Sequence, residues 1–240
     1  MSSGDVYGEL LRDLLDGGEA FEIVERDDGF VYVFAARYLL APFRKCPSLD
    51  RRAIRHVRGR VLDLGCGAGR VALHLQARGL EVVGIEVSAG AVEVCRRRGV
   101  RDARVCAIED VEESLGVFDT LIMLGNNFGL LGSESRARRL LRRFHRLTTE
   151  RGRIVAQTFD PHTLAEPVHR TYLERNRRRG RLPGSQRIRV RYRASATPWF
   201  DYLQVSPAEL AELLEGTGWR LERTLHDASA SYVALIAKET

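Results

Sequence analysis

One stretch constrains this chain more than any other: Val61-Leu62-Asp63-Leu64-Gly65-Cys66-Gly67-Ala68-Gly69. An apolar run ends in a glycine-rich turn, and Val71, Ala72 and Leu75 then share one face of an amphipathic stretch, which reads as strand, turn, helix. The unit repeats. Strands are predicted at 60–64, 81–85, 103–108, 118–124 and 153–159, and Ser88 is placed to N-cap a helix running to Arg98. Ala137, Leu140, Leu141, Phe144 and Leu147 mark a further helix, whose opposite face of arginines reads as solvated. Strands alternating with helices predict a parallel sheet covered on both faces, because parallel neighbours need crossover helices. Two last strands, 219–225 and 232–237, are joined by too short a link for a crossover and predict an antiparallel finish.

The expectation is an α/β, doubly wound, mostly parallel seven-stranded sheet with an antiparallel last strand. Its 240 residues suit one domain with an insertion. The divisions expected are an N-terminal helical cap over 1–58, an α/β core over 59–160, an inserted basic and aromatic flap over 161–205, and a return to the core over 206–240. Pro161 to Ser185 reads as polar and turn-prone, with strands at 186–192 and 198–205, and Ser206-Pro207 opens a helix running to about Gly216.

The glycine turn sits where open α/β sheets bind ligands, at the carboxyl end of a strand. Glycines at 65, 67 and 69 let backbone N–H groups approach a ligand without a Cβ in the way. A dinucleotide fingerprint would need glycine where Arg70 stands, and no G-K-[ST] follows, so neither a nicotinamide site nor a phosphate-cradling loop is indicated. Glu86, at the end of the second of these strands, is spaced to accept bonds from both hydroxyls of a ribose.

Val61 to Gly69, followed by Val82-Val83-Gly84-Ile85-Glu86-Val87-Ser88, resembles the nucleotide-binding half of class I S-adenosylmethionine-dependent methyltransferases. Phe118 to Met123 is similar to that family's fourth-strand motif, and Gly152 to Val155 to the opening of its fifth strand. The resemblance implies a Rossmann-like methyltransferase fold with S-adenosyl-L-methionine as cofactor. It further implies that Gly65, Cys66 and Gly67 line the methionine, that Asp63 orients the loop and meets the amino group, and that Glu86 holds the ribose. The third strand departs from the family pattern, with Ala107 where an adenine-reading aspartate is usual; Glu109 or Asp110 substitutes, or backbone near Ile108 reads the base. Leu124 and Gly125 complete the cofactor-binding set.

Methyl transfer from a sulfonium needs alignment above all, and a general base only where the acceptor must lose a proton. The acceptor is expected at the loop 124–129, where Asn126 and Asn127 hydrogen-bond an amine or hydroxyl and Phe128 walls the pocket. Asn126 and His162 are the candidate catalytic residues, His162 as base; Tyr38, Tyr202 and His226 are further candidates. The family signature for nucleobase or glutamine amino groups, N-P-P-Y, is absent.

Charge bears on the partner. Formal net charge is +6, yet 168–195 alone holds ten arginines against Glu174, leaving the rest of the chain acidic. With Tyr192, Trp199, Phe200 and Tyr202, this flap roofs a small-molecule pocket or, alternatively, grips RNA. A small-molecule N or O acceptor is favoured, because Arg187, Arg189, Arg191 and Arg193 share the polar face of a half-exposed strand. A non-catalytic protein that binds S-adenosylmethionine remains a further alternative. Four cysteines without a C-x-x-C pair point away from a metal site, and no apolar run nears the ~20 residues of a membrane span. The first 18 residues lack signal-peptide character, so the expected location is cytoplasmic.

Overall fold

Each alternation of apolar run and amphipathic stretch becomes an element in the structure, a computed structural model that describes residues 4–239. In chain order these are α1 (Val6–Leu15), β1 (Phe21–Arg26), β2 (Val31–Ala35), α2 (Ser48–Ala53), β3 (Val61–Leu64), α3 (Arg70–Ala77), β4 (Val82–Glu86), α4 (Ala89–Arg97) and β5 (Ala103–Val105). They continue as β6 (Phe118–Met123), α5 (Glu134–Arg146), β7 (Thr148–Phe159), α6 (Pro167–Arg178), β8 (Ser185–Tyr192), β9 (Ser195–Ala196), β10 (Phe200–Leu203), α7 (Pro207–Leu214), β11 (Trp219–His226) and β12 (Ser231–Lys238).

The main sheet has seven strands in the order β11-β12-β7-β6-β3-β4-β5. It is parallel except at β12, which runs antiparallel to both β7 and β11. The strand order reverses at β3, the strand that ends in the glycine turn. Every residue of β3 is buried, as a parallel strand covered on both faces requires.

Contacts divide the chain into two units. The first comprises the segment ending at Cys46, Leu62–Val111 and Arg187–Phe200. In it α1 lays Val6, Leu10, Leu11 and Leu14 against Ala91 and Val94 of α4, with Tyr192 closing the cluster. β1 pairs antiparallel with β2 and with β8, so the N-terminal segment and the flap share a second, smaller sheet.

The second unit comprises Pro47–Val61, Glu112–Gln186 and the chain from Asp201 onward. Its core is built on β6, β7 and β12, with fully buried Phe118, Phe144, Trp219 and Tyr232. The Trp219 indole donates to the Leu141 carbonyl at 2.9 Å, so its one polar atom is satisfied. Ser206 forms a reciprocal capping box with Glu209 at the start of α7, with Pro207 in the first turn, as the sequence indicates.

Three elements and one residue differ from expectation. Within the turn-prone stretch 161–185, residues Pro167–Arg178 form α6. β1 was not anticipated, because it shows no clean alternation and its fully buried residue is Arg26, held by Asp28 at 2.7 and 2.8 Å. β5 stops at Val105, and Ile108–Asp110 forms a 3-10 turn. Arg193 leaves the β8 face and enters a turn at φ +50°.

Candidate active site

The expected cofactor residues Asp63, Gly65, Cys66, Gly67, Glu86, Ile108, Glu109 and Asp110 lie in the first unit. As β3 ends, the N–H groups of Gly65 and Cys66 both donate to the Ile85 carbonyl at 3.0 Å, tying the turn to β4. Gly67 has φ +51° and Gly69 +75°, backbone that L side chains rarely adopt. A side chain at Gly69 would run into Val100 and, at 2.6 Å, the Cys95 sulfur. At Gly67 the main chain lies bare, the first carbon of any side chain falling 3.6 Å from Cε1 of Tyr7.

Glu86 meets that bare main chain. Its Oε2 accepts from the Gly67 N–H at 3.2 Å, and its Oε1 from those of Val87 and Ser88 at 2.8 and 3.2 Å. Burial pushes the carboxyl up, and the three N–H groups oppose that rise. The Asp63 side chain accepts no hydrogen bond among the described residues. Burial, with the Glu86 charge nearby, raises its carboxyl to about 7, against a smaller pull from Arg70. An enclosed carboxyl without a donor suits an ammonium group, and a bare glycine main chain suits a ligand lying flat on it. Cys66 contacts the Cys95 sulfur at 4.0 Å, and that contact together with burial pushes its thiol up, which makes it a packing residue at neutral pH.

Residues that sequence reasoning did not place surround this turn. Tyr7, on the first turn of α1, faces Gly67, and its phenol is pushed well up by burial and by the Glu22 charge. Tyr38 donates to Glu22 Oε2 at 3.1 Å, and Arg70 donates to the Tyr38 carbonyl at 3.2 Å. Nothing local in sequence marks Tyr7 or Glu22; they reach the turn through the packing of α1 and β1. Ile108, Glu109 and Asp110 follow β5, with Ile108 and Glu109 half-buried and Asp110 exposed.

The second unit holds Leu124 and Gly125 of the expected cofactor set and the catalytic candidates Asn126, His162, Tyr202 and His226. Leu124 is buried at the end of β6, and Gly125 donates its N–H to Gln157 Oε1 of β7 at 2.8 Å. Asn126 adopts φ +64°, its carbonyl accepts from the Tyr202 hydroxyl at 2.6 Å, and its Oδ1 accepts from Ser231 at 3.3 Å. The Asn126 Nδ2 has no protein partner among the described residues. A side chain at Gly129 would run into the Tyr202 ring, so Tyr202 pins this loop twice. Gln157, an amide buried on a core strand, is the polar residue there that the sequence reading overlooked.

His162 is bound on both ring nitrogens: Nε2 lies 3.0 Å from Glu209 Oε1, and Arg177 donates to Nδ1 at 3.2 Å. Its backbone N–H donates to Asp160 at 3.0 Å, and Glu209 also closes the α7 capping box. His226 bonds its own neighbour Thr224 at 2.8 Å.

The flap arginines in the first unit have acidic partners. Arg189 and Arg191 both reach Glu25, at 2.8 and 3.3 Å, and Arg193 reaches Asp13 at 2.8 Å. Arg189 also lies over the Trp199 ring at 4.6 Å. Among the described residues no group of three or more His, Cys, Asp or Glu is placed to hold a metal, and no helix is long and apolar enough to cross a membrane.

Residues 61–152, from β3 into β7, match the family model described as "Methyltransferase domain". That stretch of the chain is similar to a methyltransferase domain. A protein named as a methyltransferase in Geobacillus sp. (strain WCH70) is 26% identical over 116 residues, 46% of this chain and 45% of the relative. The chain thus spans about half the length of the curated relative it matches. A methyltransferase from Bacteroides fragilis, crystallised with S-adenosyl-L-homocysteine, superposes with a TM-score of 0.84 at 24% identity, covering 100% of this chain and 97% of that one. The amino pentose methyltransferase of Micromonospora echinaspora, solved with S-adenosylmethionine, gives a TM-score of 0.56 at 17% identity over 82% of this chain and 93% of its own. At these identities the likeness establishes the fold alone: a Rossmann-like, mostly parallel seven-stranded sheet.

Proposed function

We propose that this chain is a class I methyltransferase that uses S-adenosyl-L-methionine to methylate a nitrogen or oxygen of a small molecule. The observation that carries the reading is the pairing of the Glu86 carboxylate with the bare Gly67 main chain, beside the enclosed, donor-free carboxyl of Asp63. A diphosphate would want a phosphate cradle or cation there. A ribose with an aminoacyl tail wants hydroxyl acceptors and an anion, which this turn supplies.

Bound there, S-adenosylmethionine supplies an electrophilic methyl on a sulfonium, whose thioether leaves without needing a proton. In this reading Gly65, Cys66 and Gly67 line the methionine, Asp63 takes its ammonium, Glu86 the ribose, and Ile108, Glu109 and Asp110 the adenine. Asn126 offers its side-chain amide to the acceptor, in a loop that Gln157 and Tyr202 hold. His162 acts as base only on releasing Arg177 or Glu209, so acceptors that attack as free amines suit this chain best. The neighbour that methylates an amino pentose is in keeping with such an acceptor. The paired arginines of the flap, Arg189, Arg191 and Arg193, favour a small molecule over RNA, because guanidinium groups already matched to carboxylates have less to give phosphates.

The test offers methyl-tritiated S-adenosylmethionine with a pool of amino sugars and other small amines, or with total RNA. Label entering a small amine, and lost in Glu86→Ala, is the expected outcome. Label entering RNA, or none entering any acceptor, would overturn it.

A further inference from the structure

Asp5 lies outside the donor turn, yet one line of hydrogen bonds runs from it to Gly67. Its Oδ1 accepts from the Gly8 N–H at 3.0 Å, capping α1, and from the Ser88 hydroxyl at 2.5 Å. Its Oδ2 accepts from the Gly90 N–H at 2.6 Å. Ser88 is itself the N-cap of α4, its hydroxyl accepting from the Ala91 N–H at 2.9 Å, and its own N–H donates to Glu86. Glu86 in turn holds the Gly67 N–H.

One carboxylate therefore serves the N-termini of two helices, where both dipoles favour negative charge. Burial works against the charged form, but the donors from Ser88, Gly90 and Gly8 outweigh it and hold the carboxyl below its usual range. The close approach is reserved for it: a side-chain carbon on Gly8 would lie 2.7 Å from the Gly90 Cα, and one on Gly90 2.8 Å from the Gly8 Cα. The same first turn of α1 carries Tyr7, which faces Gly67.

We propose that Asp5 is a positioning residue of the donor site, coupling the first turn of α1, and Tyr7 with it, to the loop that presents Glu86. This rests on the reading of Glu86 and Gly67 as the methyl-donor site. The capping bonds alone would make Asp5 a stability residue; the link through Ser88 to Glu86 makes it a binding one. Asp5 touches no ligand in this scheme. It fixes where Glu86 and the ring of Tyr7 stand.

The experiment compares wild type, Asp5→Asn and a control, Ser133→Ala, which removes the N-cap of α5 in the other unit. Each is measured for S-adenosylhomocysteine affinity by calorimetry and, ligand-free, for amide hydrogen exchange. Asn keeps the shape but turns one acceptor oxygen into a donor, so Asp5→Asn is expected to weaken affinity ~10-fold, a typical charged-hydrogen-bond effect. It should also speed exchange at Gly67, Val87 and Ser88 as well as at Gly8 and Gly90. Ser133→Ala should lose comparable stability and keep full affinity. Faster exchange confined to Gly8, Gly90 and their helix neighbours, with affinity unchanged, would overturn the proposal and leave Asp5 a local cap. Should wild type itself give no heat, the donor-site reading fails, while the exchange pattern still decides whether Asp5 reaches Gly67.

Discussion

Asp63, given the role proposed for it, illustrates how a ligand-binding carboxyl works against folding. Its carboxyl titrates near 7 in the fold against 3.8 in an open chain. Below pH 3.8 both states hold the proton and there is no penalty. Between there and 7 the unfolded chain ionises while the fold does not, so stability falls as pH rises, by roughly 4 kcal/mol in all at ~1.4 kcal/mol per unit. Asp63→Asn is expected to raise the ligand-free melting temperature at pH 8 and to leave it unchanged near pH 3.5, read by calorimetric scans. Ligand binding carries the opposite sign. An ammonium prefers the carboxylate, so wild-type affinity should climb from pH 6 to 8 and level off, whereas Asp63→Asn should bind ~10–100-fold more weakly with no such climb. A flat wild-type profile would remove Asp63 from the site. The positions of Asp63 and Glu86 were legible in the sequence because each stands at the carboxyl end of its own strand. Asp5 was not: its partner Gly90 is 85 residues away, and no local pattern carries that contact.

At the scale of elements, arginine is used here as a clip for helix ends. Arg138 of α5 donates to the carbonyls of Glu212 and Glu215, and Arg142 to that of Gly216, so two guanidiniums close the carboxyl end of α7. Lysine has one nitrogen and cannot span both carbonyls. Arg138→Lys is expected to cost about 1 kcal/mol, measured by urea denaturation with unchanged slope; no loss would show the fork to be ornamental. The face of α5 that the sequence reads as solvated is thus partly occupied by the protein's own backbone. α6 escaped sequence reading for a related reason. Its buried stripe is His169, Tyr172, Leu173 and Asn176, a helical spacing in which two of four members are polar, so apolar periodicity does not reveal it. The Asn176 amide repays its burial by donating to the carbonyls of Pro183 and Ser185, which turns the chain into β8.

For the whole molecule, the mostly parallel seven-stranded sheet was readable because each crossover leaves a strand, a turn and a helix in succession. The second sheet was not, since it joins β1 to β8 across most of the chain, and the register Ile23↔Arg191 has no signature at either end. That sheet also settles part of the basic segment's charge through Glu25. Replacing Arg189 and Arg191 by Gln should therefore change RNA binding and its salt dependence little, as read by filter binding between 50 and 200 mM salt; a steep slope in wild type that the pair of substitutions abolishes would restore RNA as the partner. Titrating the folded chain with S-adenosylhomocysteine tests the proposed donor turn most directly. Saturable heat in wild type, reduced at least ~10-fold in affinity by Glu86→Ala in a protein that still melts cooperatively, is the predicted result. No heat from either this ligand or S-adenosylmethionine would contradict it.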